Sequence, residues 1–175
     1  MPQSVIANSI ADSATLCLGY AQRLLTDVTP DQFHRFARVG DQVIESNHPA
    51  FVLGHLNLYP CRVIEQLGGD ATPFQPSDAE NELFSPAATC VDDPDAAVYP
   101  SMNVTVDRFY QRYQAAVDLL RTTGDEPFGN ENPNERMRAK FGTLGSMHSF
   151  YLGGHMMVHL GQMSAWRRAM GLGAA

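Results

Sequence analysis

The stretch Gly153-Gly154-His155-Met156-Met157-Val158-His159-Leu160-Gly161-Gln162-Met163 decides how the rest of this chain is read. On a helix, residues four apart share a face with a rise of about 6 Å, so His155 and His159 can aim two imidazoles at one point. That is the spacing a metal ion needs, and neutral imidazole is a common ligand for zinc, nickel and iron. The spacing alone is weak evidence, so the surroundings matter. From Leu144 to Trp166 there is no formal charge, and Met147, Phe150, Leu152, Met156, Val158, Leu160, Met163 and Trp166 place apolar groups on nearly every side. The pattern predicts a buried helix, from about Gly145 to Met170. Two histidines and a glutamine inside it need polar partners, because an unpaired buried polar group costs roughly 1 to 3 kcal/mol. A metal ion or a polar cavity would supply them. A membrane span is the rival for so long an uncharged run. It is set aside because three histidines, Gln162 and three serines make the segment too polar for hydrocarbon.

Working outward, 175 residues are read as one domain over 1–175, long enough to bury a core. The net charge of -7 argues against nucleic acid or an anionic membrane as partner. All of it comes from Gly68 to Pro100, which holds Asp70, Asp78, Glu80, Glu82, Asp92, Asp93 and Asp95 with no lysine or arginine. This stretch also contains five prolines and is expected to be a long solvated loop, with a lid over the site as the lesser alternative. Cys17, Cys61 and Cys90 are odd in number at unrelated spacings. With no secretory leader, they read as a reduced cytoplasmic set.

Three further helices are expected. Val5 to Leu25 repeats apolar or small residues every three or four positions. Thr29-Pro30-Asp31-Gln32 fits a capped helical turn, and the polar passage Arg38 to Asn47 reads as a connection with room for an extended piece. A second long helix begins at His48 or Pro49, is kinked by Pro60 and stops at Gly68-Gly69. A third, capped by Ser101, carries Val106, Phe109, Tyr110, Tyr113, Val117 and Leu120, and a polar connection with one turn near Glu135 to Lys140 precedes the fourth. Four long helices with no convincing strand pair make an all-α four-helix bundle, in which metal sites are built from facing helices.

Of the other histidines, His34 lies in a linker, His48 at a helix end, and His148 about 10 Å along the helix from His155, too far to share one ion. His55, amid apolar neighbours in the second helix, is the remaining candidate. Asn47-His48-Pro49-Ala50-Phe51-Val52-Leu53-Gly54-His55-Leu56, followed by His155-Met156-Met157-Val158-His159-Leu160-Gly161-Gln162, resembles the DinB/YfiT-like family of metalloenzymes. Its pattern is a histidine in helix two and HxxxHxGQ in helix four. Leu83-Phe84 and Tyr99-Pro100-Ser101 also look like turns of that family, so the resemblance spans nearly the whole chain.

The resemblance implies a DinB-like bundle with a long loop between helices two and three. Its metal triad falls on His55, His155 and His159, holding a divalent ion, nickel or zinc first and iron or manganese next. It further implies a small-molecule substrate, a low-molecular-weight thiol as cosubstrate for S-transfer or isomerisation, and a homodimer. The catalytic agent would be a metal-bound water or thiolate. Hydrolysis is the alternative chemistry, and a metal-stabilised, stress-related bundle without turnover is the alternative class. Tyr59, Tyr151 and Gln162 are candidates for the pocket or for support of the ligands, with packing the simpler role for the tyrosines. His148 is expected at the bundle end or pocket rim. Gly153-Gly154 suggests close backbone approach or room for a ligand.

Overall fold

The computed structural model describes residues 4–175. The chain is mostly helical, and among the described residues its one sheet has two strands. The first predicted helix forms as α1 (Val5–Leu25). Its inner face of Ala7, Ala11, Ala14, Cys17 and Ala21 is fully or almost fully buried. Small side chains there let its neighbours approach closely. The turn at Thr29 forms as α2 (Pro30–Phe33) with the expected reciprocal bonds between Thr29 and Gln32.

The passage read as a polar connection is a hairpin, which corrects the expectation of no strand pair. β1 (Ala37–Val39) and β2 (Gln42–Ile44) pair antiparallel, Ala37 opposite Ile44. Gly40, at φ +58°, opens the two-residue loop in a conformation that other residues adopt at a cost. Three-residue strands are too short to show alternation.

The second long helix is broken rather than kinked. α3 (Pro49–Leu56) and α4 (Pro60–Gln66) are separate, with Pro60 as the first residue of the second. Pro60 has no N–H to give to Leu56 O, and the chain tightens: Leu58 and Tyr59 donate to His55 O and Leu56 O, three residues back. The carbonyls at the break find donors on α6 (Met102–Thr122). Tyr113 Oη–H donates to Leu56 O at 3.1 Å and Arg112 Nη1 to Asn57 O at 3.2 Å. Ser101 precedes α6, yet its side chain makes no capping bond, so that expectation fails.

The acidic segment is not a featureless loop either. It contains α5 (Asp78–Phe84), begun by a capping box in which Ser77 and Glu80 serve each other's backbone N–H groups. Three of its acids are committed to structure. Glu80 is buried against Arg112 at 3.0 Å. Asp92 takes a two-pronged contact from Arg35 at 2.9 and 3.0 Å. Asp93, also buried, accepts from the N–H groups of Ala97, Val98 and Tyr99.

After the short α7 (Glu135–Arg138), the last helical column runs as α8 (Leu144–Ser149), a π-turn over Phe150–Gly154, and α9 (His155–Ala169). His155 N–H reaches back five residues to Phe150 O. The glycines explain the place. A Cβ on Gly153 would lie 2.6 Å from Ser13 Oγ, so α1 and the π-turn meet where no side chain intervenes. This column is buried on one side only. Met156, Leu160, Met163 and Trp166 face the core, while Met157 and Val158 are exposed, Val158 at 62%. The all-round burial expected from its apolar residues is thus corrected. α1 packs on α6 and α9, and α3 lies against α6 and α9, which brings His55 to face His155 and His159. Among the described residues, no helix is long and apolar enough to cross a membrane.

Candidate metal centre

His55, His155 and His159 come together as the sequence predicts. One ring nitrogen from each lies within 4.8 Å of the others, close enough to hold a metal ion. Nε2 of His155 is 3.3 Å from Nε2 of His55 and 3.1 Å from Nε2 of His159. Three nitrogens bound at about 2.0–2.1 Å around a tetrahedral ion are roughly 3.3 Å apart, so the two separations from His155 are those of ligands to a shared cation.

The outer face of two rings fixes what the inner face offers. His55 Nδ1 lies 2.8 Å from Phe84 O, a pure acceptor, so Nδ1 carries the proton and Nε2 presents a lone pair. His159 Nδ1 donates in the same way to Gln162 Oε1 at 3.0 Å. Both lone pairs face His155 Nε2; without an ion, that of His55 is met by the Tyr59 hydroxyl and that of His159 by a proton on His155 Nε2. A cation between the rings satisfies all three, and carboxamide or carbonyl partners behind ligand histidines are the usual support. His155 lacks that support: its Nδ1 is buried with no hydrogen-bond partner among the described residues. Its ring is held instead by packing, edge-on to Tyr59 with centroids 4.4 Å apart and beside Phe150 at 5.2 Å.

Burial lowers the pKa of all three, with His155 brought down to about 3 by desolvation and by its two histidine neighbours. At neutral pH the rings are uncharged, the state that ligates.

The support reaches deep into the fold. Phe84 O, which orients His55, ends α5, and α5 is fastened by Glu80 to Arg112 and Arg108. Gly54 belongs to the same construction, because a Cβ there would fall inside the Phe84 ring. On the other side Gln162 Oε1 also accepts from Asn47 Nδ2 at 3.1 Å, tying α9 to the residue before the α3 cap.

The triad opens into a cavity of about 480 Å³ lined by Asn47, Phe51, Tyr59, Ser85, Thr89 and Cys90 among others, with no carboxylate. Residues of the acidic segment beyond α5 thus form a wall of the site. Tyr59 Oη–H donates to His55 Nε2 at 3.1 Å, and burial pushes its pKa up, so it stays protonated. Tyr151 is buried, its ring centroid 5.0 Å from that of Tyr59.

His148 is not at a rim. It is fully buried, and its Nε2 meets Gln66 Oε1 at 2.8 Å. His34 and His48 serve the backbone, through Pro100 O and Val91 O, and His48 Nδ1 caps α3 by accepting from Phe51 N–H. The three cysteines are free, and Cys90 alone of them lines the cavity. Asn47, Cys90 and the Phe84 carbonyl were not singled out by residue pattern. Asn47 had one signal, its place just ahead of the capped start of α3.

The fold and the triad define a mostly helical protein with three histidines close enough to hold a metal ion. A comparison of the chain with family models, curated proteins and solved structures finds no match.

Proposed function

We propose that this protein is a metal-dependent enzyme of the DinB/YfiT-like kind, a four-helix bundle whose columns are α1, α3 with α4, α6, and α8 with α9. In this reading His55, His155 and His159 hold a divalent ion, nickel or zinc before iron or manganese, and a low-molecular-weight thiol is the cosubstrate. The observation that carries it is the convergence of three uncharged Nε2 atoms, two with their tautomers set from behind, on a cavity large enough for a small molecule. An ion in such a set supplies Lewis acidity and lowers the pKa of a thiol or water beside it.

The chain's own residues favour transfer over hydrolysis. Hydrolysis calls for a general base near the open face, and the cavity lining has no carboxylate. Thiol transfer needs a bound thiolate and an oriented electrophile. An ion on His55 Nε2 would release the Tyr59 O–H that now donates to that nitrogen, leaving it free to donate to a developing anion.

Protein purified without added metal is expected to contain one divalent ion per chain, and His155→Ala to lose it. A melting temperature that falls only a few degrees, with loss of thiol conjugation to electrophiles, supports the enzyme. Collapse of the fold with the ion supports the alternative of a structural metal without turnover. The absence of any stoichiometric ion defeats both.

A further inference from the structure

The space at the triad continues past Tyr59. Tyr59, Pro86 and His155 also line a second cavity, of about 350 Å³, whose wall is chiefly apolar and includes Phe150 and Tyr151. Arg62 and Arg136 are among its lining residues. Arg62 lies over the Tyr59 ring, 5.3 Å from its centroid. Arg62 and Arg136 are both exposed, and like Arg23, Arg38, Arg167 and Arg168 they have no carboxylate partner among the described residues, whereas Arg35, Arg108, Arg112, Arg121 and Arg138 each have one. The turn that carries Arg136 is firmly seated. Asn132, fully buried, donates to Phe141 O at 2.8 Å and accepts from Asn134 N–H at 3.0 Å, and Arg138 Nε donates to Asn132 O at 2.9 Å. On the other side of the triad the space runs past Asn47, Thr89 and Cys90 to Glu45 and Asp92. One arm of the cleft is cationic and apolar, the other acidic.

We infer that the arm at Arg62 and Arg136 holds the carboxylate of an acidic substrate with an aromatic or apolar body, the reacting atom of which lies at the three histidines. This assignment rests on the proposed function. A guanidinium matches a carboxylate in two parallel bonds, and Phe150 and Tyr151 give the body a dry wall. A cation at the triad attracts a carboxylate as well, which is why metal-free protein is titrated beside the loaded form, and Glu45 in the other arm disfavours an anion that enters backwards. In a chain of net charge -7, two unpaired cations at a cavity beside the candidate centre set the polarity of the substrate.

The test is an NMR titration of zinc-loaded protein with 3-phenylpropionate, its uncharged amide, and 2-phenylethylphosphonate. The carboxylate is expected to bind about tenfold more tightly than the amide. The preference should vanish in the Arg62→Gln, Arg136→Gln double variant while its zinc content and melting temperature stay those of the parent. Equal binding of acid and amide, no binding of the acid, or a preference that survives the double variant overturns the assignment. A phosphonate bound about tenfold above the carboxylate overturns it in favour of a phosphate-bearing ligand. Repeating the titration on metal-free protein separates the two readings. Carboxylate preference in a chain that takes up no metal defeats the metal centre alone, and metal uptake without the preference defeats the substrate assignment alone.

Discussion

His159 and Gln162 lie one turn apart on α9, and the 3.0 Å bond from His159 Nδ1 to Gln162 Oε1 decides which nitrogen of the ring faces the cavity. The same oxygen is pinned by Asn47, so the glutamine has little freedom to turn away. Replacing Gln162 by Ala leaves the ligand in place and removes what orients it. Metal affinity should fall by about 10- to 100-fold while the melting temperature hardly changes. Competition against a chelator of known affinity measures the first, thermal denaturation the second. Unchanged affinity would mean that packing alone sets the ring.

Gly54 offers a test from the other wall. Gly54→Ala drives a methyl against the Phe84 ring, which is buried beside Phe51 and Tyr99. Overpacking of this kind costs about 1–3 kcal/mol. Because Phe84 O is the acceptor for His55 Nδ1, the displacement should also weaken metal binding. Calorimetric unfolding and metal titration on the one variant would show both losses. A stability loss with intact metal affinity would uncouple α5 from the site.

These couplings mark what could be read from residues alone. α1 and α6 follow from the spacing of their apolar residues, and the His155 and His159 pair from its spacing of four. Pro60 announced a disturbance. That it becomes a full break depends on Tyr113 and Arg112, which reach across from α6 to the freed carbonyls, and no local pattern contains them. α5 did carry a local sign, Ser77 with Glu80 three residues on, hidden in a run of acids and prolines with only Leu83 and Phe84 as apolar anchors. The partner of His55 is a main-chain oxygen, which any residue would supply, so sequence cannot point to it. For His148 the helical rise from His155 says only that it cannot share the ion, and leaves its own surroundings open. Its burial against Gln66 arises from α4, a different element.

Acid should destabilise the protein through the histidines that burial keeps uncharged, the three of the triad and two remote from it. Burial brings His48 and His148 down to about 4 from an ordinary value of 6.5, so the folded chain resists protons that the unfolded chain takes up. Stability is therefore fully present above pH 6.5 and is lost as pH falls from there toward 4, by on the order of 3 kcal/mol for each group. Urea unfolding between pH 7.5 and 4.5, with a chelator present throughout, should show the midpoint falling. His148→Gln keeps a donor for Gln66 and should flatten the slope relative to the parent. An identical slope in that variant would assign the acid sensitivity elsewhere.

The ion pair of Glu80 and Arg112 should outweigh every exposed pair of the chain. Arg112 is buried and donates to Glu80 Oε1, Asn57 O and Gln75 O. Burial raises the pKa of Glu80, yet the bonds from Ser77 and Arg112 more than offset this, and the carboxylate stays charged with a lowered pKa. Arg112→Ala leaves Arg108 as the one cation beside that carboxylate and strips one of the two donors from the break between α3 and α4. A cost of about 3–5 kcal/mol is expected, roughly 10 °C in melting temperature, together with weaker metal binding as α5 loosens. Arg121→Ala removes the exposed pair with Asp12, whose carboxylate is 71% accessible, and should cost less than about 1 kcal/mol. If thermal denaturation finds the two variants equal, α5 is not fastened through Glu80, and the route from the acidic segment to His55 must run through the packing of Phe84 instead.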